Sequence, residues 1–216
     1  MTFDRFPLDW MPPDAMSGRV ARLERLGPTH LIALHAANPA DDGHWRYLPY
    51  GPFPDLEVYR LWAEGAAATD DPAFYAVGGL SGWSGLAALM RADRVNGVIE
   101  IGHVAFSPAL QRTIAATEAI HLMIDHAFTA GFRRLEWKCD ARNEASRRAA
   151  ARLGFSYEGT FRQHQIVKGR NRDTAWFAIL DEDWLRLRAA HITWLDPANF
   201  DEAGRQLRAL SQIVGD

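Results

Sequence analysis

Two residues in the stretch Gly97–Thr117 carry side chains that can accept a proton. Glu100 lies between Ile99 and Ile101, so we expect it on a strand among apolar neighbours. Burial penalises the charged form of a carboxylate, which would suit Glu100 to act as a general base near neutral pH. His103 is the rival, because an imidazole titrates close to neutral pH without help. Alternation places His103 on the opposite face of a regular strand, and the other role for Glu100 is a solvated carboxylate on the outer face of the sheet.

The same stretch has the pattern of a strand that runs into a helix. We predict a buried strand at Val98–Phe106, a break at Ser107-Pro108 and a long helix at Arg112–Ala130, where apolar residues recur at three- and four-residue spacing. The first N–H groups of a helix have no partner inside it and lie at the positive end of its dipole. The sequence therefore predicts an anion site of the kind that binds phosphate.

A second exit from strand to helix follows Cys139. Arg133–Cys139 alternates as a strand does, and Glu144–Leu153 is expected to be a short helix with Asn143 just before it and Ser146 inside it. Ligands of α/β sheets bind beyond the carboxyl ends of parallel strands, so the two exits together favour one ligand site. The alternative is that Asn143 only caps its helix.

The other elements are predicted from hydrophobic periodicity and from the positions of glycine and proline. Asn96-Gly97 and the glycine-rich run Gly78–Gly85 predict hairpin connections. Further strands are expected at Gly18–Leu26, Ala73–Val77, Leu86–Arg91, Phe155–Val167 and Thr174–Leu180, with a turn at Lys168–Asp173 and helices from Thr29 as N-cap to Ala37 and at Asp55–Ala68.

Three further segments have two interpretations each. The aromatic loop Asp41–Pro54 is either pinned to the core or forms a pocket wall. The arm, residues 1–17, and the tail, residues 185–216, either pack on the body or mediate a homodimer. The tail shows no single period at first, and an amphipathic helix is expected at Asp201–Val214.

Composition excludes several classes of function. The net charge of −3 argues against nucleic acid as a partner, and no apolar run is long enough to cross a membrane. Cys139 is the single cysteine, so no internal disulfide forms and a cytoplasmic location is expected. We expect no metal site. Cys139 lacks the partners of a catalytic nucleophile and is expected to be a buried strand residue.

The residues from Gly97 to Trp184 resemble the acetyl-CoA-binding core of GNAT N-acetyltransferases, most closely the RimJ/RimL-type branch. The resemblance rests on the segments IEIGHVAFSP, LQRTIAATEAIHLMIDHAF, GFRRLEWKCDARNEASRRAAARLGFSYEGTFRQ and GRNRDTAWFAILDEDW. It implies an α/β (α+β) domain at 18–184, with a mixed, mostly antiparallel twisted sheet of about six to seven strands flanked by helices. It also implies acetyl transfer from acetyl-CoA to a primary amine, of a protein N-terminus or a small molecule.

The resemblance also implies which residues hold acetyl-CoA. The pantetheine arm would follow the strand edge, the pyrophosphate would bind the loop and helix start, and the acetyl end would meet the second helix. The residues are Val104, Ala105 and Phe106, then Gln111, Arg112, Thr113, Ile114, Ala115, Ala116 and Thr117, and finally Asn143 and Ser146. Arg112, Arg147 and Arg148 are candidates for the 3′-phosphate, with a solvated helix face as the alternative.

Two positions depart from the pattern of that family. Ile114 stands where the pyrophosphate loop usually has glycine, and Ala150 stands where many members have a tyrosine that protonates the leaving thiolate. Ser146 is then the local candidate for the proton donor. The family's expected bulge in the strand would allow His103 to replace Glu100 as base. Direct attack in a ternary complex is favoured, and a catalytically silent acyl-CoA-binding regulatory module is the alternative.

Overall fold

The computed structural model describes residues 9–79 and 82–215. Its strands form one sheet in the order β1-β2-β3-β4-β5-β6-β8-β7. Their bounds are Ala15–Ser17 (β1), Arg22–Arg25 (β2), Ala73–Gly79 (β3), Gly82–Asp93 (β4), Val98–Phe106 (β5), Arg134–Asp140 (β6), Ser156–Val167 (β7) and Arg170–Leu180 (β8). The mixed, mostly antiparallel sheet flanked by helices is confirmed, with eight strands in the described chain rather than six or seven.

Helices cover both faces of this sheet. Their bounds are Leu31–Ala37 (α1), Asp42–Trp45 (α2), Leu56–Ala67 (α3), Ile114–Thr129 (α4), Glu144–Arg152 (α5), Asp181–Leu195 (α6) and Leu210–Gly215 (α7), with short 3-10 turns at Pro28–His30 and Pro197–Asn199. In the described parts of the chain, none of these helices has the length and apolarity needed to cross a membrane.

One parallel pair, β5 with β6, sits at the centre of the sheet. The helix α4 makes the crossover between them, as parallel neighbours require. Their pairing runs from Val98 opposite Arg134 to Ile101 opposite Trp137 and goes no further. Beyond that point β5 stays paired with β4 and β6 with β8, so the two strands separate towards their carboxyl ends.

Two hydrophobic clusters hold the sheet, one on each face. The larger lies under α4, α5 and α6 and includes Met123, Leu135 and Trp184. The smaller lies under α1 and α3 and includes Trp45 and Tyr59. Burial of this area supplies the main driving force for the fold and fixes the central strands against the helices.

The arm and the tail both pack on the body. Trp10 is buried and its indole N–H donates to His126 Nε2 on α4 at 3.0 Å. Leu210 of α7 is fully buried in the larger cluster. Residues 1–8 of the arm lie outside the described residues. The predicted domain limits stay predictions, although Ala15–Ser17 joins the sheet and α6 crosses residue 184.

Several predicted elements were wrong in extent. The segment Gly18–Leu26 keeps only Arg22–Arg25 as strand, and the turn at Pro28 begins after Gly27, so Thr29 is not an N-cap. The helix predicted at Asp201–Val214 is reduced to Leu210–Gly215. The Asp201 carboxylate instead accepts from the N–H groups of Ala203 and Arg205, which closes a turn. The connection predicted at Gly78–Gly85 includes Leu80 and Ser81, which lie outside the described residues.

Two further errors concern residues 168–195. The turn predicted at Lys168–Asp173 is only two residues long, because Lys168 and Gly169 both have positive φ, 48° and 73°. The helix α6 was missed because exposed Leu185 and Ile192 obscure the inward spacing of Trp184, Leu187, Ala190, His191 and Trp194.

Candidate active site

A cleft of about 580 Å³ opens where β5 and β6 separate. The carboxyl halves of these two strands form its floor. The residues that line it include Glu100, Gly102, His103, Val104, Trp137, Lys138, Cys139, Asp140, Asn143 and Ser146. The cleft thus brings together the predicted base, its rival, part of the predicted strand edge and the two polar residues of the second exit.

The β5 strand has one edge without a strand partner along the cleft. Gly102 and Ala105 pair with β4 on the other side, and in the described chain no strand pairs with residues 102–106 on the side of β6. Ala105 is buried, while Val104 and Phe106 are half-buried. An extended ligand can therefore take backbone hydrogen bonds from this edge, as an added strand would.

The loop after β5 presents free N–H groups at the start of α4. Thr113 is the N-cap, and its hydroxyl accepts from Ala116 N at 3.1 Å. The N–H groups of Ile114 and Ala115 have no partner among the described residues. Ile114 is the first residue of α4 and is half-buried against the core. Its φ is not positive, so its backbone conformation does not require glycine. The residue of this loop that has a positive φ is Arg112, at 62°.

Other residues of the predicted pyrophosphate segment have structural partners. Gln111 is exposed, and its amide donates to Phe106 O at 2.7 Å. Ala116 is buried, and Thr117 is buried with its hydroxyl accepting from Arg152 Nη2 at 2.7 Å. The side chain of Thr117 therefore does not face the cleft. The segment Gln111–Thr117 lies at the far end of β5 and does not line the cleft itself.

The start of α5 holds Asn143 and Ser146 beside the cleft. Asn143 is the N-cap, as its simpler interpretation predicted, with Oδ1 accepting from Ser146 N at 3.1 Å. Ser146 Oγ lies 2.9 Å from Trp137 Nε1. An indole nitrogen only donates, so the serine oxygen is the acceptor and its own hydrogen stays available. Arg147 is exposed and donates to Ala141 O at 3.3 Å.

Cys139 and Ala150 do not supply acid–base chemistry. Burial raises the pKa of the Cys139 thiol, against a smaller opposite effect of the nearby Ser146 hydroxyl. The thiol is therefore neutral near pH 7 and a poor nucleophile. Ala150 is fully buried in the larger cluster, so the position where the family often has tyrosine faces the core.

Glu100 is buried in the cleft and already engaged by two cations. Its Oε2 lies 2.8 Å from Arg91 Nη1 and 2.9 Å from Lys138 Nζ. Lys138 also contacts Glu136 Oε2 at 2.6 Å and lies 4.0 Å from the ring centre of Trp176. The other oxygen, Oε1, has no hydrogen-bond partner in the described chain. Glu100 is thus an anchored carboxylate with one oxygen available.

His103 reaches the cleft through a β-bulge. Leu86 pairs with Ala105 and Ala88 with Gly102, so His103 and Val104 together oppose Ala87. His103 has a φ of 52° and its ring stacks on Tyr50 with centroids 5.6 Å apart. Burial, and then the charges of Arg91 and Arg172, lower the pKa of His103 to about 4. The imidazole is therefore neutral at pH 7.

The aromatic loop and the β7–β8 hairpin enclose the cleft. Tyr47 OH donates to Arg142 O at 3.2 Å, and Lys168 Nζ donates to Trp45 O at 3.0 Å. The loop has both predicted roles, because Trp45 and Phe53 are buried while His44, Tyr47, Leu48 and Pro49 line the cleft. No described cluster of three His, Cys, Asp or Glu side chains is arranged to hold a metal ion.

Three basic residues of the cleft were not found from the sequence. They are Arg91, Lys138 and Arg172. Lys138 lies at a polar position of a predicted strand, but nothing in the sequence indicates that it faces a ligand. Arg172 was assigned to a turn, and only the tight turn at Lys168-Gly169 would have placed it on β8.

Comparisons with known proteins agree with this geometry. The family model described as "Acetyltransferase (GNAT) domain" matches residues 21–156. A GCN5-related N-acetyltransferase from Brucella melitensis is 43% identical and superposes with a TM-score of 0.91, over 96% of this chain and 99% of that one. An uncharacterized N-acetyltransferase, p20, from Bacillus licheniformis is 31% identical over 93 residues, which are 43% of this chain and 52% of the relative. The match therefore spans about half the length of that curated relative.

A more distant structure shares the fold. It is an acetyltransferase from Salmonella typhimurium that modifies the N-terminal serine of a ribosomal protein, with 19% identity and a TM-score of 0.67 over 77% of this chain and 98% of that one. GNAT domains in general use acetyl-CoA as the acetyl donor, and the Brucella protein is similar along almost its whole length. The chain belongs to the GNAT acetyltransferase family and is an acyltransferase.

Proposed function

We propose that this protein transfers acetyl from acetyl-CoA to a primary amine by direct attack in a ternary complex. The observation that carries the proposal is the separation of β5 and β6 after Ile101 and Trp137. It leaves a free strand edge beside a cleft that also holds Glu100 and Ser146. Both a long extended donor and an acceptor can meet in one enclosed space.

The chain offers fitting partners along the length of acetyl-CoA. Backbone groups of Val104–Phe106 would hold the pantetheine arm at the free edge of β5. The free N–H groups of Ile114 and Ala115, at the positive end of α4, would hold the pyrophosphate. Exposed Arg112 and Arg147 would serve the 3′-phosphate.

Glu100 is the proposed base. Arg91 and Lys138 fix its Oε2, which leaves Oε1 to take the proton of the amine directly or through water. His103 stays the rival, because its low pKa makes it a neutral acceptor that faces the same cleft. The stacking of His103 on Tyr50 gives it the simpler role of a pocket wall.

Ser146 is the proposed proton donor to the departing thiolate. Its oxygen is held by Trp137 Nε1, so the hydroxyl hydrogen can point into the cleft. Cys139 remains a thiol and offers no acyl-enzyme route. The silent module is not adopted, because Glu100 lies in the cleft and Ile114 fits the helix start.

The branch of the family and the location in the cell are also proposed. The motifs favour the RimJ/RimL-type branch, and the single cysteine favours the reducing cytoplasm. A homodimer has no support from the arm or the tail, because the described parts of both pack on the body.

The test combines binding and turnover. Acetyl-CoA should raise the melting temperature, since it binds the native state only. CoA release with a panel of amines and N-terminal peptides should then identify an acceptor. Glu100→Gln should lower kcat by about a hundredfold, in the range typical of a lost general base, while the shift with acetyl-CoA persists. A larger loss in His103→Gln would assign the base to His103, and no thermal shift at millimolar acetyl-CoA would reject the proposal.

A further inference from the structure

Charged side chains of both signs line the cleft. Three cations line it, Arg91, Lys138 and Arg172, against two carboxylates, Glu100 and Asp140. Lys138 and Arg91 are both committed to Glu100. Lys138 also contacts Glu136. Among the three lining cations, Arg172 is therefore the one without a carboxylate in contact in the described chain.

Arg172 is a half-buried cation without a counter-ion in contact. In the described chain no carboxylate oxygen lies within 4.0 Å of its guanidinium, and its Nε is buried without a hydrogen-bond partner. Burial lowers the pKa of Arg172, with Asp140, Cys139 and Glu100 acting in the opposite direction and Arg91 adding repulsion. A buried, unsatisfied charged donor is costly unless a ligand completes it.

Arg172 lines the cleft from the β7–β8 hairpin. It lies on β8 opposite Gln165 of β7, and both residues line the cleft. The lining of the cleft includes this hairpin but not the start of α4, where the pyrophosphate is proposed to bind. Lys168 Nζ donates to Trp45 O and joins the hairpin to the aromatic loop. Tyr47 OH donates to Arg142 O and joins the same loop to the connection between β6 and α5.

We propose that the acceptor is a primary amine that carries a carboxylate, and that Arg172 binds this carboxylate. The inference rests on the proposed acetyl transfer and names its substrate class. A guanidinium fork matches a carboxylate with two parallel hydrogen bonds, and the buried Nε is one of its donors. Two sources carry this chemistry: a free amino acid and a peptide with an acidic residue at its N-terminus.

The first experiment measures binding, so it does not depend on turnover. Calorimetric titrations use matched pairs that differ in the carboxylate alone: glycine and glycinamide, phenylalanine and phenylalaninamide, and the peptide amides Glu-Ala and Gln-Ala. They are run with and without CoA. We expect the wild type to prefer the acid in at least one pair by about tenfold or more, since hydrogen bonds between charged groups have this order of strength. The pair that shows the preference identifies the source.

The variants test the residue. Arg172→Gln should remove the preference for the acid, and Arg172→Lys should restore part of it, because charge is kept while the fork is lost. Arg170→Gln is the matched control, an exposed arginine two residues away on the same strand. Equal binding of acid and amide by the wild type, or an undiminished preference in folded Arg172→Gln, would overturn the proposal. Acid-selective binding without any CoA release from acetyl-CoA would instead refute the proposed acetyl transfer.

Discussion

At the scale of single residues, some side chains of the cleft position others, and the side chains so positioned can transfer a proton. Trp137 fixes the oxygen of Ser146 and two cations fix one oxygen of Glu100. The serine hydrogen can then donate, with the Cys139 thiol as a nearby acceptor, and Glu100 Oε1 has no hydrogen-bond partner in the described chain. Preorganised groups of this kind need little rearrangement when the reaction occurs.

Ser146→Ala tests the proton donor. We expect kcat to fall by about a hundredfold, as for loss of a general acid, while the affinity for acetyl-CoA stays nearly the same. Steady-state kinetics and calorimetry measure the two effects separately. Ser211→Ala is the control, because Ser211 is exposed on α7. An unchanged kcat in Ser146→Ala would remove Ser146 from the mechanism.

At the scale of elements, periodicity predicted most strands and helices but not the links that orient them. The long helix and the two exits were predicted, and the structure shows that the strands before the two exits are parallel, which was the condition for one shared site. The missing information lay in tertiary contacts. Glu118 is a buried carboxylate that accepts from Arg19 N at 3.0 Å and from Val20 N and Ala21 N at 2.6 Å each. This carboxylate fixes the β1–β2 turn to α4, and no local sequence pattern predicts that contact.

The residues of the site also divide into those that the sequence indicates and those that depend on tertiary structure. Glu100, His103, Asn143 and Ser146 could be found because strand ends and helix starts mark them. Arg172 could not, since it depends on whether a turn has two residues or six. The bulge at His103 also has no signal of its own in the sequence, although the family resemblance implied it.

Glu118→Gln tests the link between the turn and α4. We expect the free energy of unfolding to fall by about 2 kcal/mol, because hydrogen bonds to a charged acceptor become bonds to a neutral one. Gly18→Ala should also destabilise, since a Cβ there would lie 2.5 Å from Glu118 Cδ. Gly65→Ala on α3 is the opposite control: no heavy atom lies within 4 Å of its added Cβ, and alanine favours helix by about 0.5–1 kcal/mol. Equal effects of the two glycine substitutions in urea unfolding would contradict this interpretation.

At the scale of the whole molecule, buried histidines make stability depend on pH. Burial lowers the pKa of His103 and of His191 to about 4, from the usual histidine value of 6.5. The unfolded chain therefore binds more protons than the native chain between pH 6.5 and pH 4. Stability should be lost progressively as the pH falls through this range.

Thermal unfolding at a series of pH values measures this loss. His191 contacts Leu153 O through Nε2 at 3.0 Å, and glutamine can keep that hydrogen bond without titrating. His191→Gln should therefore show a weaker fall in melting temperature between pH 6.5 and pH 4 than the wild type. The same slope in both proteins would mean that His191 does not contribute.

The proposed place of acetyl transfer is the split between β5 and β6. A crystal structure with bound acetyl-CoA tests it most directly. We expect the pantetheine to follow the backbone of Val104–Phe106, the pyrophosphate to meet the N–H groups of Ile114 and Ala115, and the thioester to lie near Ser146. Acetyl-CoA bound elsewhere on the protein, with the split closed, would contradict it.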